Sequence, residues 1–289
     1  MNTFYVISNT QKDPELHNAK VIQDFLQEKG KKCYIQTARS DGMQEHYRYT
    51  DPAGIPDEVE CVLVLGGDGT LLQAARDLVD RSLPLLGINM GTLGYLAEID
   101  RKNIRPALEK LIQGEYSVEH RMMITGTAYH QKRKLLEDIA LNDIVITRDG
   151  RMRVVDFQVL VDGEFLCGYS ADGVIVSTPT GSTGYSLSAG GPIVEPTAQN
   201  FVISPICAHT VFSSSFVLSA AGTVTVSPAD QGRKQVYLSV DGGRAFALKS
   251  GDKVRVCRSR YETELLRLTD KSLYEILRTK MAGGIGNEK

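Results

Sequence analysis

Long apolar runs are missing from this 289-residue chain. No stretch approaches the roughly 18 consecutive apolar residues that a membrane-spanning helix needs, so none is expected. The first residues, MNTFYVISNT, lack a basic segment followed by an apolar core, so no secretory leader is expected either. Cysteine is scarce and scattered. Five thiols (Cys33, Cys61, Cys167, Cys207, Cys257) stand far apart, odd in number and without a CxxC pair. That pattern disfavours a disulfide framework and a structural zinc site, and it suits the reduced cytoplasm. Charge of one sign is not in excess: the formal net charge is -2. Nothing therefore draws the chain broadly to nucleic acid or to an anionic membrane. Several catalytic signatures are absent as well. There is no Walker GxxxxGK[ST], no HExxH and no Ser/His/Asp spacing, and Asn89–Tyr95 lacks the GxGxxG order of a dinucleotide fold.

What is present centres on Cys61 to Gln73, CVLVLGGDGTLLQ. The apolar run Cys61–Leu65, bounded by glycine, reads as a buried parallel strand. Gly66, Gly67 and Gly69 let the backbone turn sharply and expose N–H groups. From Thr70 onward Leu71, Leu72, Ala74, Ala75 and Leu78 follow a helical stripe. A glycine turn between a strand and a helix N-terminus is an anion site. Asp68 lies inside it. Phosphate repels a carboxylate, so Asp68 suits a proton-accepting base or a ligand to a metal riding on phosphate. As a purely local feature it also suits a tight turn whose Asp caps the helix.

The surrounding chain alternates. A strand over Phe4–Ser8, a helix over Pro14–Lys29, a strand over Lys32–Gln36, the glycine unit, a strand over Leu83–Ile88 and a helix over Ile104–Ile112 predict a parallel α/β sheet. Between them Arg39–Glu58 is polar and aperiodic, either a loop near the site or a plain surface connection. Beyond about residue 115 the pattern becomes β-rich, with candidate strands at Ser117–His130, Ile139–Thr147, Arg153–Val161, Phe165–Tyr169 and Val174–Ser177. More follow at Ser215–Leu218, Thr223–Val226, Gln235–Val240, Ala245–Leu248 and Lys253–Cys257. Asp162-Gly163 and Asp241-Gly242 read as hairpin turns. The expected fold is an α/β N-terminal domain with a parallel sheet, over 1–117, plus a mostly β C-terminal sandwich over 118–261. The segment from about 262 to 289, with a short helix at Ser272–Lys280 and a frayed tail, is expected to pack back on the first domain.

A second stretch carries chemistry: ADGVIVSTPTGSTGYSLSAGGPIVEP, Ala171 to Pro196. Its centre, Thr178 to Ser186, holds five Ser or Thr hydroxyls and two glycines in nine positions. Such a loop offers donors and acceptors without net charge, which suits the hydroxyls and base edges of a nucleoside. Tyr185 is suited to stack on a base. Asn142-Asp143, Asp172-Gly173 and Asp241-Gly242 read equally as turns or bulges. Arg121 and Arg148 suit phosphate or an ordinary surface pair.

Together these residues resemble the NAD kinase family over most of the chain, from about Phe4 to the 270s. The resemblance rests on Gly66-Gly67-Asp68-Gly69-Thr70, Gly87-Ile88-Asn89 through Leu96, Leu141-Asn142-Asp143, and Asp172-Gly173 through Gly191-Pro192. It implies transfer of the terminal phosphoryl of ATP to the 2′-hydroxyl of the adenosine ribose of NAD, giving NADP. It also implies Mg²⁺ or another divalent cation with ATP, polyphosphate as an alternative donor in some members, a site between the two domains, and a homodimer or homotetramer. Carried onto this sequence, Asp68 is the catalytic carboxylate, while Gly67, Gly69 and Thr70 cradle phosphate. Asn142 and Asp143 hold the adenosine ribose. Thr183, Tyr185 and Ser188 line the NAD pocket, and Asp172 faces the nicotinamide half, from the same or a neighbouring subunit. This chain departs from the family pattern at Gly184, where many relatives have Ala, and at Ser213-Ser214-Ser215, where an Arg-Pro pair is frequent. Lipid kinases share GGDGT but not the STPTGSTGYS segment, and a sensor without turnover would not need Asp68.

Overall fold

The structure, a computed structural model, describes residues 1–36, 49–91, 94–150, 154–210, 213–229, 235–269 and 272–283. Residues 39–48 of the polar connection, Arg153 and the tail from 284 therefore lie outside the described residues. The chain divides into two compact units. The first takes in Met1–Gly42, Arg48–Glu119 and Glu264–Lys289; the second contains His120–Thr263.

In the first unit the alternation is α/β. Strand β1 (Thr3–Ser8) leads through a turn to helix α1 (His17–Glu28) and strand β2 (Lys32–Ile35). Strand β3 (Cys61–Gly66) leads into helix α2 (Asp68–Asp77), and β4 (Leu85–Asn89), the short β5 (Ile99–Asp100) and helix α3 (Ile104–Gln113) follow. The strands lie in the order β2-β1-β3-β4, with every pairing parallel. All six residues of β3 and all five of β4 are buried, the expected state of central parallel strands covered on both faces. One face packs Phe4, Val6, Leu63, Leu65, Leu86 and Ile88 against Ile22, Phe25 and Leu26 of α1 and Leu108 and Leu111 of α3. Helix α1 begins at His17 rather than Pro14, because Glu15 and Leu16 take positive φ of 55° and 58°. Gly114 ends α3 in the left-handed conformation at φ 81°.

The second unit is an antiparallel β sandwich. Its strands are β6 (Ser117–His130), β7 (Arg133–Ala140), β8 (Asp143–Arg148), β9 (Val155–Val161), β10 (Glu164–Ala171) and β11 (Gly173–Ser177). After the four-residue helix α4 (Tyr185–Ser188) come β12 (Asn200–Ile206), β13 (Phe216–Ser219), β14 (Thr223–Pro228), β15 (Val236–Val240), β16 (Phe246–Leu248) and β17 (Asp252–Arg267). One sheet has the order β13-β12-β11-β8-β15-β16; strands β10, β9, β14 and β17 lie side by side in the other. Val155, Phe157, Val159, Val224, Val226, Val254 and Val256 meet Ile144, Ile146, Val174, Val176, Phe201 and Ile203 in the core between them. The β9–β10 turn has Asp162 at φ 52° and Gly163 at φ 87°, the pair of left-handed residues that a two-residue hairpin requires.

The last residues return to the first unit. Leu265 of β17 pairs parallel with Leu85, and Leu266 and Leu268 join the α1/α3 core. Helix α5 (Leu273–Gly283) runs past Lys280, where the frayed tail was expected to begin. Glu98 accepts the Leu268 and Thr269 backbone N–H groups at 3.0 and 2.6 Å, fixing this return.

Three expectations need correction. The apolar segment Ile139–Thr147 is not one strand. It breaks at Leu141-Asn142, with β7 pairing β6 and β8 joining the opposite sheet. The backbone amides there bond to Asp241 and leave the ladder. Strand β12, central and almost wholly buried, was not expected, because Pro205 interrupts its sequence. Strand β17 is far longer than Lys253–Cys257, since its polar second half does not read as a strand.

Candidate active site

Three loops leave the carboxyl ends of the adjacent parallel strands β1, β3 and β4, where ligands of open α/β sheets bind. The first is the turn Asn9–Asp13, the second Gly66–Thr70, and the third runs from Met90 to Ala97, with Thr92 and Leu93 outside the described residues. They are tied together. The Asn9 N–H donates to the Leu65 carbonyl at 2.9 Å, the Asn9 amide to Thr70 Oγ1 at 3.3 Å, and the Met90 N–H to the Gly66 carbonyl at 2.8 Å.

Asp68 opens α2, with Gly67 as the extended residue before it. Its carboxylate turns away from its own helix to the third loop. Oδ2 accepts the Tyr95 N–H at 2.7 Å; Oδ1 accepts the Leu96 N–H at 3.1 Å and the Ala97 N–H at 3.3 Å. A carboxylate offers about four lone-pair positions, so Oδ2 keeps one open. This is not the simple N-cap that a local reading allows: α2 has no side-chain cap bond at its first position. A β-carbon on Gly94 would overlap the Asp68 carboxylate, so that glycine is what admits the aspartate. Gly69 is exposed, and Gly67 and Thr70 are partly so.

The remaining candidate residues belong to the second unit. Asp241 accepts three successive backbone N–H groups: Leu141 at 2.8 Å on Oδ2, and Asn142 at 2.8 Å and Asp143 at 2.9 Å on Oδ1. It mirrors Asp68, one carboxylate holding three amides of a loop. Asp241 and Gly242 turn at φ 48° and 68°, which directs the chain back to that loop. Asn142 Oδ1 is buried with no hydrogen-bond partner, an acceptor awaiting a donor. Asp143 is buried, and burial together with the neighbouring Asp241 pushes its carboxyl up to about 7.

The hydroxyl-rich loop is stitched to the same segment. The Thr178 N–H donates to the Asn142 carbonyl at 2.8 Å, and Thr178 Oγ1 donates to the Leu141 carbonyl at 2.6 Å. A β-carbon at Gly181 would overlap the Asn142 carbonyl. Much of the hydroxyl inventory is used internally: Ser182 bonds the Pro179 carbonyl, Ser186 faces Ser204, and Thr183 donates to the Thr180 carbonyl at 3.2 Å. Thr180 accepts from the buried Arg121 at 3.2 Å, so Arg121 is a packing cation here and not a surface one. Tyr185 stays half exposed and Ser188 exposed. Burial, then Cys207, Asp143 and Asp172, raise the Tyr185 hydroxyl above its ordinary value, so both aspartates lie within its electrostatic reach. Asp172 Oδ1 accepts from Arg148 Nε at 2.6 Å. In the serine segment Ser215 donates to Ser204 at 3.0 Å, and the Ser214 carbonyl accepts from Tyr169. His209 is exposed, joined through its backbone to Ser170.

Asp241 and Gly94 were not among the expected site residues. For Asp241 the signal was a hairpin-like Asp-Gly. For Gly94 it was a glycine in the next loop, after β4, from the aspartate it admits.

The buried Asp143 makes stability depend on pH. Its folded value of about 7 lies above its ordinary 3.8, so the fold binds a proton the unfolded chain has lost. Its contribution is intact below about pH 4 and declines as pH rises to about 7. Asp143→Asn is expected to remove this decline. Its denaturation free energy relative to wild type should rise by up to about 1.4 kcal/mol per pH unit across that window and level off above it. A difference flat from pH 4 to 7 would contradict a buried, proton-holding Asp143.

The first unit thus fixes a carboxylate by three loop amides inside a glycine turn that opens a helix, a layout suited to handling phosphate. Residues 5–116 match the family model for the ATP-NAD kinase N-terminal domain, and residues 141–268 match that for the ATP-NAD kinase C-terminal domain. The chain is 39% identical to an NAD kinase of Lachnospira eligens over 97% of its length and 100% of the relative's. It is 44% identical to an NAD kinase of Geobacter metallireducens over 80% of this chain and 81% of that one. A solved structure of yeast NADH kinase with NADH shares the fold at a TM-score of 0.81 and 24% identity, covering 100% of this chain and 89% of that chain. An Archaeoglobus fulgidus NAD kinase solved with ATP aligns at 0.75 and 23%, covering 98% and 99%. The chain belongs to the NAD kinase family.

Proposed function

We propose that this chain transfers the terminal phosphoryl of ATP to the 2′-hydroxyl of the adenosine ribose of NAD, with Asp68 as the base. The observation that carries this reading is the Asp68 carboxylate, immobilised by three amides with a lone pair of Oδ2 left open. A ribose hydroxyl is a poor nucleophile until a positioned base accepts its proton, an effect of roughly 10²–10⁴-fold. Phosphoryl transfer otherwise needs alignment and charge neutralisation. We assign the turn at the start of α2 to phosphate, with the Gly67 and Gly69 amides as donors and Thr70 acting through its hydroxyl, since its N–H donates to the Gly67 carbonyl at 3.0 Å. Mg²⁺ enters as part of the MgATP substrate, keeping water and phosphate oxygens as ligands.

In the second unit we assign Asn142 and Asp143 to the adenosine ribose, the unpartnered Asn142 Oδ1 supporting an accepted substrate hydroxyl. Thr183, Tyr185 and Ser188 are assigned to NAD, with the half-exposed Tyr185 ring against a base. Asp172, oriented by Arg148, is assigned to the nicotinamide half. We further infer a homodimer or homotetramer. Phe165 and Val217, 66% and 47% exposed in the sandwich, are apolar surface that such contacts would cover. The five free cysteines suit a cytoplasmic setting, and among the described residues no helix is long and apolar enough to cross a membrane.

Asp241→Asn tests the scaffold of the ribose-binding segment. It turns an amide N–H₂ toward backbone donors, leaving at least one unpaired at a cost of about 1–3 kcal/mol. The expected result is a rise of roughly tenfold in KM for NAD with a smaller change in kcat. An unchanged KM would show that this clamp does not shape the NAD site.

The reading itself is tested by incubating the purified protein with Mg²⁺, ATP and NAD and following NADP with an NADP-specific dehydrogenase. NADH, polyphosphate and diacylglycerol run alongside. NADP formation supports the proposal. Phosphorylation of the lipid alone, or binding of NAD without turnover, would overturn it.

A further inference from the structure

We propose that Lys12 binds the phosphate chain of the phosphoryl donor, a role that rests on the kinase reading above. Lys12 lies on the Asn9–Asp13 turn at the carboxyl end of β1. A β-carbon on Gly67 would meet its Nζ at 3.0 Å, and one on Gly91 would lie 3.9 Å away. The ammonium therefore stands against the glycine turn, between the loops that follow β3 and β4.

The turn is built to hold that position. Asn9 is bonded through its backbone to Leu65 and through its side chain to Thr70, both in the glycine unit. Its carbonyl accepts the Lys12 and Asp13 N–H groups at 2.9 and 2.8 Å, and its side chain accepts the Gln11 N–H at 3.0 Å. Asp13, fully buried, accepts Ser8 Oγ at 2.9 Å, the Asn18 N–H at 2.9 Å, Asn18 Nδ2 at 2.7 Å and the Ala19 N–H at 3.1 Å. Those bonds hold the Asp13 carboxyl below its ordinary range against the opposing effect of burial. Both flanks of Lys12 are thus fixed, while Lys12 itself is exposed. Among the described residues no carboxylate forms an ion pair with it. Asp68, the acid of the neighbouring loop, gives its oxygens to the Tyr95, Leu96 and Ala97 amides instead.

A surface lysine needs no such scaffold. A cation beside exposed amides and a helix start matches a chain of phosphates, which Lys binds as a point charge. The absence of a Walker lysine leaves this charge to be supplied elsewhere, and the turn after β1 supplies it. Neutralising the developing charge on the transferred group is the main service a protein gives phosphoryl transfer.

The test compares wild type with Lys12→Met and Lys12→Arg. In Lys12→Met, KM for ATP and the dissociation constant of inorganic tripolyphosphate, measured by calorimetry, are expected to rise about tenfold or more. KM for NAD should stay within about threefold. Lys12→Arg should recover most of the tripolyphosphate affinity, and equal melting temperatures would exclude a folding defect. Unchanged tripolyphosphate affinity and ATP KM in Lys12→Met, in an enzyme that makes NADP, would overturn the role of Lys12 alone. A wild type that binds tripolyphosphate through Lys12 but makes no NADP would overturn the kinase reading and leave the anion site standing.

Discussion

Asp68→Asn is expected to lower kcat for NADP formation by roughly 10²–10⁴-fold while NAD still binds with nearly wild-type affinity. The substitution keeps size and one acceptor oxygen but removes the charge and the basicity. The amide oxygen can still take the Leu96 and Ala97 N–H groups, whereas its N–H₂ would then face the Tyr95 N–H, which now donates to Oδ2. The position left open for the substrate proton becomes a donor. Because the interaction belongs to the transition state, the loss should appear in kcat and kcat/KM together. Steady-state kinetics with a separate NAD-binding titration checks this. A kcat within a few-fold of wild type would remove Asp68 from the chemistry.

Gly94→Ala is expected to reproduce most of that defect without touching the aspartate. The new methyl would overlap the Asp68 carboxylate, which accepts three successive loop amides and cannot yield without losing hydrogen bonds. Either the carboxylate or the loop from Gly94 to Ala97 must shift by a sizeable fraction of an ångström, and displacements near 1 Å cost about 10²-fold. The predicted outcome is a fall of about 10²-fold in kcat/KM with NAD affinity retained. Full activity would mean that the Asp68 geometry is not what catalysis uses.

Both predictions depend on contacts that local sequence hides, and this explains what could be read in advance. Buried parallel strands were legible because Cys61–Gly66 and Leu85–Asn89 are continuous apolar runs closed by turns. The β-rich second half was legible from short runs and from Asp162-Gly163. Asn200–Ile206 was not, because Pro205 argues against a central strand, while pairing with β11 and β13 outweighs that local signal. The break at Leu141-Asn142 was hidden too, as its cause, Asp241, is about 100 residues distant. In the site, Asp68 was legible as a carboxylate inside a glycine turn. Its three amide donors, 27 to 29 residues along the chain, were not. The hydroxyl-rich loop reads as a nucleoside surface, yet Thr178, Ser182 and Ser186 serve the loop's own architecture. A sequence reports which groups are available, and burial decides which remain free for a ligand.

The most direct measurement follows the phosphoryl group itself. Wild-type protein is incubated with Mg²⁺, NAD and ATP labelled in its terminal phosphoryl, and the labelled product is isolated and its phosphate located by NMR. The account predicts one product, NAD carrying the label on the 2′-oxygen of its adenosine ribose, accepted by an NADP-specific dehydrogenase. Label on another hydroxyl, or label released as free phosphate with NAD unchanged, would contradict it.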